Sequence, residues 1–265
     1  MRRLPSLIVA LLVAPTMAVS LSGCGEGAAP AIVPAKAPPA VPVEAAYLPP
    51  PSVTATRADG AKLVLTGAAP ADARVRLATP EGEASFSTAN SKGVWTLDLP
   101  ATTEPRIFGL SATAGARQLQ AEGYVLITPA GEAVVLRAGT GAVRVGRTGK
   151  NGLDAVDFDR EGGAVVSGRA PAGAALSIHI DGRQLAEGRA DASGRYAAPL
   201  TQQPLAGGMH QIDVFGDATE NTANIDTTPA PPLANGPFRA TSVPAGLRID
   251  WMTPGGGAQS TIILK

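Results

Sequence analysis

Cysteine, histidine, aromatic residues and net charge are all scarce in this chain, and each shortage removes a class of explanation. A single cysteine, Cys24, leaves no internal disulfide, so every domain must hold together by packing alone. With only His179 and His210 beside it, no Cys/His spacing supports a metal site, and both histidines are expected as ordinary outward-facing residues on strands. Lysine and arginine total 22 against 22 acidic residues, so the basic surplus that a nucleic-acid binder needs is missing. Aromatics make up 4%, which predicts cores of Val, Leu, Ile and Ala that bury modest area per residue. No stretch after the N-terminus keeps a helical period for three turns, and that excludes an α-rich fold.

What the chain has instead is punctuation: 31 Gly and 24 Pro break short apolar runs into strand-sized pieces. It also has a repeat. Leu63–Pro100 and Ala164–Leu200 superpose without a gap, placing Gly67 on Gly168, Pro70 on Pro171, Ala73 on Ala174, Gly93 on Gly194 and Trp95 on Tyr196, 101 positions apart. That period is far longer than the roughly 20–50 residues of solenoid and propeller repeats, so each copy is expected to be a domain with its own core.

Within the second copy, Leu176, Ile178 and Ile180 alternate with Ser177, His179 and Asp181, the period of a half-buried strand. Asp181-Gly182 then predicts a two-residue hairpin turn. In the first copy Trp95, Leu97 and Leu99 alternate with Thr96 and Asp98. Turn signals recurring every 8 to 12 residues predict an all-β fold of two β-sandwiches. A second echo pairs Val125–Gly131 and Val134–Leu136 with Ile249–Gly256 and Ile262–Leu264, so each module is expected to own a following hairpin. The Thr-Pro pairs of that echo stand 125 apart, and the extra 24 residues predict an insertion in the Pro-rich loop between Asp217 and Thr241. The last apolar strand is expected to be paired in a sheet.

At the N-terminus Met1-Arg2-Arg3 precedes an apolar run from Leu7 to Val19, the make-up of a signal peptide. Leu21-Ser22-Gly23-Cys24 resembles the bacterial lipoprotein lipobox, in which an invariant cysteine is lipidated and becomes the first mature residue. The resemblance implies Cys24 as the lipid attachment site, a membrane partner reached through that lipid, and a place in the cell envelope. Gly25 is not the aspartate of an inner-membrane retention signal, which points to the outer membrane. Gly25 to Pro51 carries eight prolines and reads as an extended tether, about 80 Å long at roughly 3.1 Å per residue.

The second copy goes further. Gly168-x-Ala170-x-x-Gly173-Ala174, Asp181-Gly182, Asp191-Ala192-Ser193-Gly194-Arg195-Tyr196 and Leu205-Ala206-Gly207-Gly208-Met209-His210 resemble the bacterial Ig-like domains repeated in surface adhesins and envelope proteins. In the first copy Asp72 replaces the second glycine, and at the close of the second copy Glu220 replaces another. The resemblance implies an Ig-like sandwich with a structural or adhesive role and brings no catalytic residues. The expected layout is a signal peptide over 1–23, a Pro/Ala-rich tether over 24–51, Ig-like domains over 52–147 and 148–228, and a Pro-rich loop with C-terminal hairpin over 229–265.

Candidate chemistry is sparse. No Gly-x-Ser-x-Gly elbow or nucleophile–base–acid set stands out, so no catalytic residues, metal ligands or cofactors are expected, and the protein is expected not to be an enzyme. Asp154, Asp157, Asp159 and Glu161 cluster at the start of the second module and are expected to lie on a solvated strand and turn; junctional calcium is the competing reading. The glycines of 139–146 predict a hairpin loop. The leading expectation is an envelope scaffold with a protein partner. The alternative is a glycan or peptidoglycan binder using a solvent-exposed Trp251 or Tyr124 as its platform.

Overall fold

A computed structural model describes residues 47–146 and 151–265. Residues 1–46, and with them the signal peptide, Cys24 and most of the tether, lie outside the described residues. Every regular element among the described residues is a strand, and two seven-stranded sandwiches account for most of them. The first opens with β1 (Ser52–Asp59), β2 (Lys62–Ala68), β3 (Arg74–Ala78) and β4 (Ala84–Thr88). It continues with β5 (Val94–Pro100), β6 (Arg106–Ala114) and β7 (Arg117–Ile127), and β8 (Ala133–Leu136) and β9 (Val143–Arg144) follow. Sheet A has the order β1-β2-β5 and sheet B the order β4-β3-β6-β7-β8-β9.

The second sandwich repeats the path through β10 (Gly152–Asp159), β11 (Ala164–Arg169), β12 (Ala175–Ile180) and β13 (Arg183–Arg189). It closes with β14 (Arg195–Pro199), β15 (Met209–Gly216) and β16 (Thr219–Asp226), and the chain ends in β17 (Phe238–Val243), β18 (Gly246–Met252) and β19 (Ala258–Leu264). Sheet D is β13-β12-β15-β16, and sheet C is β14-β11-β10-β19-β18-β17. Strand for strand, β10–β16 retrace β1–β7 with the same three-plus-four pairing, so both modules are Ig-like β-sandwiches.

The repeated residues explain why. Trp95 and Tyr196 each lie across a glycine of the neighbouring strand. A Cβ on Gly67 would stand 2.3 Å from the Trp95 ring, and one on Gly168 would stand 2.6 Å from the Tyr196 hydroxyl. Each ring also ties its sheet: Trp95 Nε1 donates to Ala68 O at 3.1 Å, and the Tyr196 hydroxyl donates to Gly152 O at 3.2 Å. Asn90 and Asp191 fold the preceding turns alike, accepting the N–H groups of Lys92 and Val94 in one case and of Ser193 and Arg195 in the other.

Asp181 and Gly182 both take positive φ, as a tight hairpin turn demands. Asp72 adopts φ 60 where its counterpart Gly173 has φ 77, so the backbone shape survives the loss of the glycine. At the close of the second module the turn is Asp217-Ala218, Glu220 already belongs to β16, and Ala218 is forced to φ 51. Alanine is strained there, and Ala218→Gly is expected to stabilise the protein by roughly 0.5–1 kcal/mol, read as a higher midpoint in urea at unchanged slope.

The layers stack in the order A, B, C, D. Leu65, Val75, Trp95 and Leu110 belong to the core between A and B, and Val156, Ile178, Tyr196 and Ile212 to that between C and D. A third apolar cluster lies between B and C and fuses the two sandwiches face to face.

Candidate functional site at the module junction

The two echoed hairpins build this third core from opposite sides. In the first, Thr128 N–H donates to Glu132 O at 2.9 Å, and in the second Thr253 N–H donates to Gly257 O at 2.8 Å, so the Thr-Pro turns share one geometry. They join different sheets, however: β8 extends sheet B beside β7, whereas β19 pairs with both β18 and β10 in sheet C. Leu126, Val134 and Leu136 therefore meet Ile249, Trp251 and Ile263 across the junction.

Trp251 is the centre of that contact and is 0% exposed. Its Nε1 donates to Thr261 Oγ1 at 3.1 Å, and its ring meets Tyr124 edge to face at a centroid distance of 5.9 Å. The expectation of Trp251 as a solvent-exposed platform is thus overturned: β18 lies beneath sheet B, and burying an indole with its N–H satisfied is favourable. Tyr124 is half-buried at the rim.

Beside this core sits a buried carboxylate. Asp157 Oδ2 accepts the Ala142 N–H at 2.7 Å, while Oδ1 accepts from Gln259 Nε2 at 3.0 Å and from the Thr261 hydroxyl. Further bonds cross the same seam: Ser167 Oγ donates to Ala142 O at 3.0 Å, Gly139 N–H to Gln259 Oε1 at 3.1 Å, and Arg144 Nη1 to Leu264 O at 2.7 Å. Burial pushes the Asp157 carboxyl up to about 6, although the donors Thr261, Ala142 and Gln259 and the charge of Arg137 pull the other way.

The acidic cluster is correspondingly not a solvated strand. Asp154 and Asp157 are buried, because β10 is an inner strand of sheet C with protein on both faces. Asp159 is half-buried, its Oδ1 accepting the Gly163 N–H at 2.8 Å, and only Glu161 is exposed. Among the described residues no group of three or more His, Cys, Asp and Glu side chains could hold a metal. His179 stands edge-on to Phe215 at 5.2 Å, and His210 lies between Asp181 Oδ2 at 2.7 Å and Ala206 O at 2.9 Å.

A second buried carboxylate straps the Pro-rich loop. Asp250 accepts from Ser260 Oγ at 2.7 Å, Arg248 Nε at 2.8 Å and Arg239 Nη2 at 2.9 Å. The same arginines reach out to Pro231 O and Thr228 O. Burial alone would raise the Asp250 carboxyl; the Ser260, Arg248 and Arg239 hydrogen bonds outweigh it and hold the group below the usual carboxylate range.

Where sheet B runs past the edge of sheet C, an open groove of about 570 Å³ separates the modules. Arg76, Thr79, Gly109 and Tyr124 line it from the first module, and Met252 and Pro254 from the C-terminal hairpin.

No protein-family model matches the chain, and no curated protein matches it in sequence. Among solved structures it is similar to the BSP domain of a biofilm associated protein, at 15% identity and TM-score 0.25, covering 70% of this chain and 30% of that one. It is also similar to the central fibronectin-III array of RIM-binding protein, at 12% identity and TM-score 0.28, covering 82% and 88%. A third likeness is to a 1.5-MDa bacterial ice-binding adhesin, at 14% identity and TM-score 0.23, covering 77% and 80%. The chain thus spans under a third of the biofilm-associated chain.

Proposed function

We propose that this chain is a non-catalytic, lipid-anchored protein of the cell envelope, held at the outer membrane through Cys24, whose fused sandwiches present a rigid surface to an envelope partner. The observation that carries the reading is the stitched seam. An apolar core, the Asp157 network and the Arg144–Leu264 bond join the modules face to face. A block of that kind suits holding a binding face at a fixed distance rather than closing over a substrate. The lipobox-like Leu21–Cys24 and the proline-rich segment after it support anchoring and reach.

Fractionation of a Cys24→Ala variant tests the anchor. Wild-type protein is expected in the outer-membrane fraction and released only by detergent, and the variant in the soluble fraction. Membrane association of the variant equal to wild type overturns the lipid attachment.

A further inference from the structure

We propose that the groove between sheet B and the C-terminal hairpin binds an acidic saccharide. This goes beyond the anchored-scaffold reading and does not depend on it.

The groove exists only because the modules are fused, and its walls combine apolar surface with a few converging polar groups, the usual make-up of a ligand site. Among the described residues Arg76 is the only charged one lining it, so they offer the groove a cation and no carboxylate. One hydroxyl accompanies that guanidinium. Among the described residues, neither the Tyr124 hydroxyl nor the Arg76 guanidinium has a hydrogen-bond partner. Both can donate, and a planar guanidinium takes a carboxylate in a fork of two bonds. The side chains of Tyr124, Met252 and Pro254 supply apolar surface of the kind that the C–H face of a sugar ring covers.

An extended peptide is the less suitable guest. Strand-like peptide binding needs main-chain N–H donors along the rim. Here Pro80, Pro237 and Pro254 stand at the rim and have none. Recognition must come from side chains, which favours a ligand rich in hydroxyl and carboxylate acceptors.

The floor supplies a clean probe. A Cβ at Gly109 would meet nothing within 4 Å, so the side chain of Gly109→Leu starts in open space at the groove wall. Titration calorimetry of the full chain would use two acidic probes, an oligogalacturonide and a muramic-acid-containing saccharide, with the galacturonide methyl ester and an oligoglutamate peptide as controls. The expected result is binding of at least one acidic saccharide, weakened tenfold or more by Arg76→Gln, by Gly109→Leu and by esterification, with thermal melting showing both variants folded. No binding of either acidic saccharide, equal binding of the ester, indifference to Gly109→Leu, or tighter binding of the peptide each overturns the proposal. None of these outcomes touches the Cys24 fractionation, so the two readings fail separately.

Discussion

Trp251→Ala is expected to lower the unfolding free energy by about 3–5 kcal/mol, the largest effect of any single truncation at the junction. The indole is fully buried between sheets B and C, touches the Tyr124 ring and caps Thr261, which in turn donates to Asp157. Removing it opens a cavity in the one core shared by both modules and frees the Asp157 network on one side. Denaturation in guanidinium followed by far-ultraviolet circular dichroism reports on both modules, and in the variant Trp95, in the core between sheets A and B, is the one tryptophan left and reports on the first. In wild type the two modules are expected to unfold together, and in the variant the first module keeps its own transition while the second melts earlier. Trp251→Phe retains the ring but drops the Nε1–Thr261 bond and is expected to cost only about 1 kcal/mol beyond the repacking. Equal midpoints for wild type and the alanine variant would remove Trp251 from the centre of the junction.

Stability is expected to rise, not fall, on mild acidification. The Asp157 carboxyl keeps its proton up to about 6 in the folded protein but releases it near 3.8 when unfolded. Between those values the folded state binds more protons, so unfolding free energy drops as pH climbs through the window, by roughly 3 kcal/mol in all. Below it the opposite groups take over. Asp250, together with Asp181, Asp191 and Asp226, is held below the usual range, and the stabilisation these groups give is lost once they protonate in strong acid. Maximum stability is therefore expected at about pH 4–5 rather than at neutrality. Urea midpoints from pH 3 to 8 measure this, and Asp157→Asn, which cannot ionise, is expected to flatten the limb between pH 4 and 6 while leaving the acid limb intact. A wild-type profile that climbs steadily from pH 4 to 7 would contradict the assignment.

Much of each sandwich could be read in advance because its determinants are local. The alternation of Trp95, Leu97 and Leu99, the Asp181-Gly182 turn and the paired glycines Gly67 and Gly168 announce strands and register within a few residues. The junction could not be read that way, since its partners are remote in sequence: Asp157 with Gln259 and Thr261, and Ala142 with Ser167. One local signal does exist. Val134-Val135-Leu136 and Ile262-Ile263-Leu264 are unbroken apolar runs without alternation, the mark of strands covered on both faces. That pattern was consistent with hairpins stacked between two layers, and it argues against an exposed Trp251 on the strand next to β19. Polar Asp157 and Asp250 mislead for the same reason, being solvated in appearance and paired in fact.

Because β19 pairs with β10 and carries Gln259 and Thr261, the seam closes only when Ala258–Leu264 has been made. During synthesis the outer face of sheet B, with Ile107, Leu126, Val134 and Leu136, is complete well over a hundred residues before its cover exists. The first module therefore keeps a bare apolar face until the C-terminal strands have folded against it. A nascent chain arrested before residue 258 presents a sticky, unfinished surface that a chaperone or a protease would recognise.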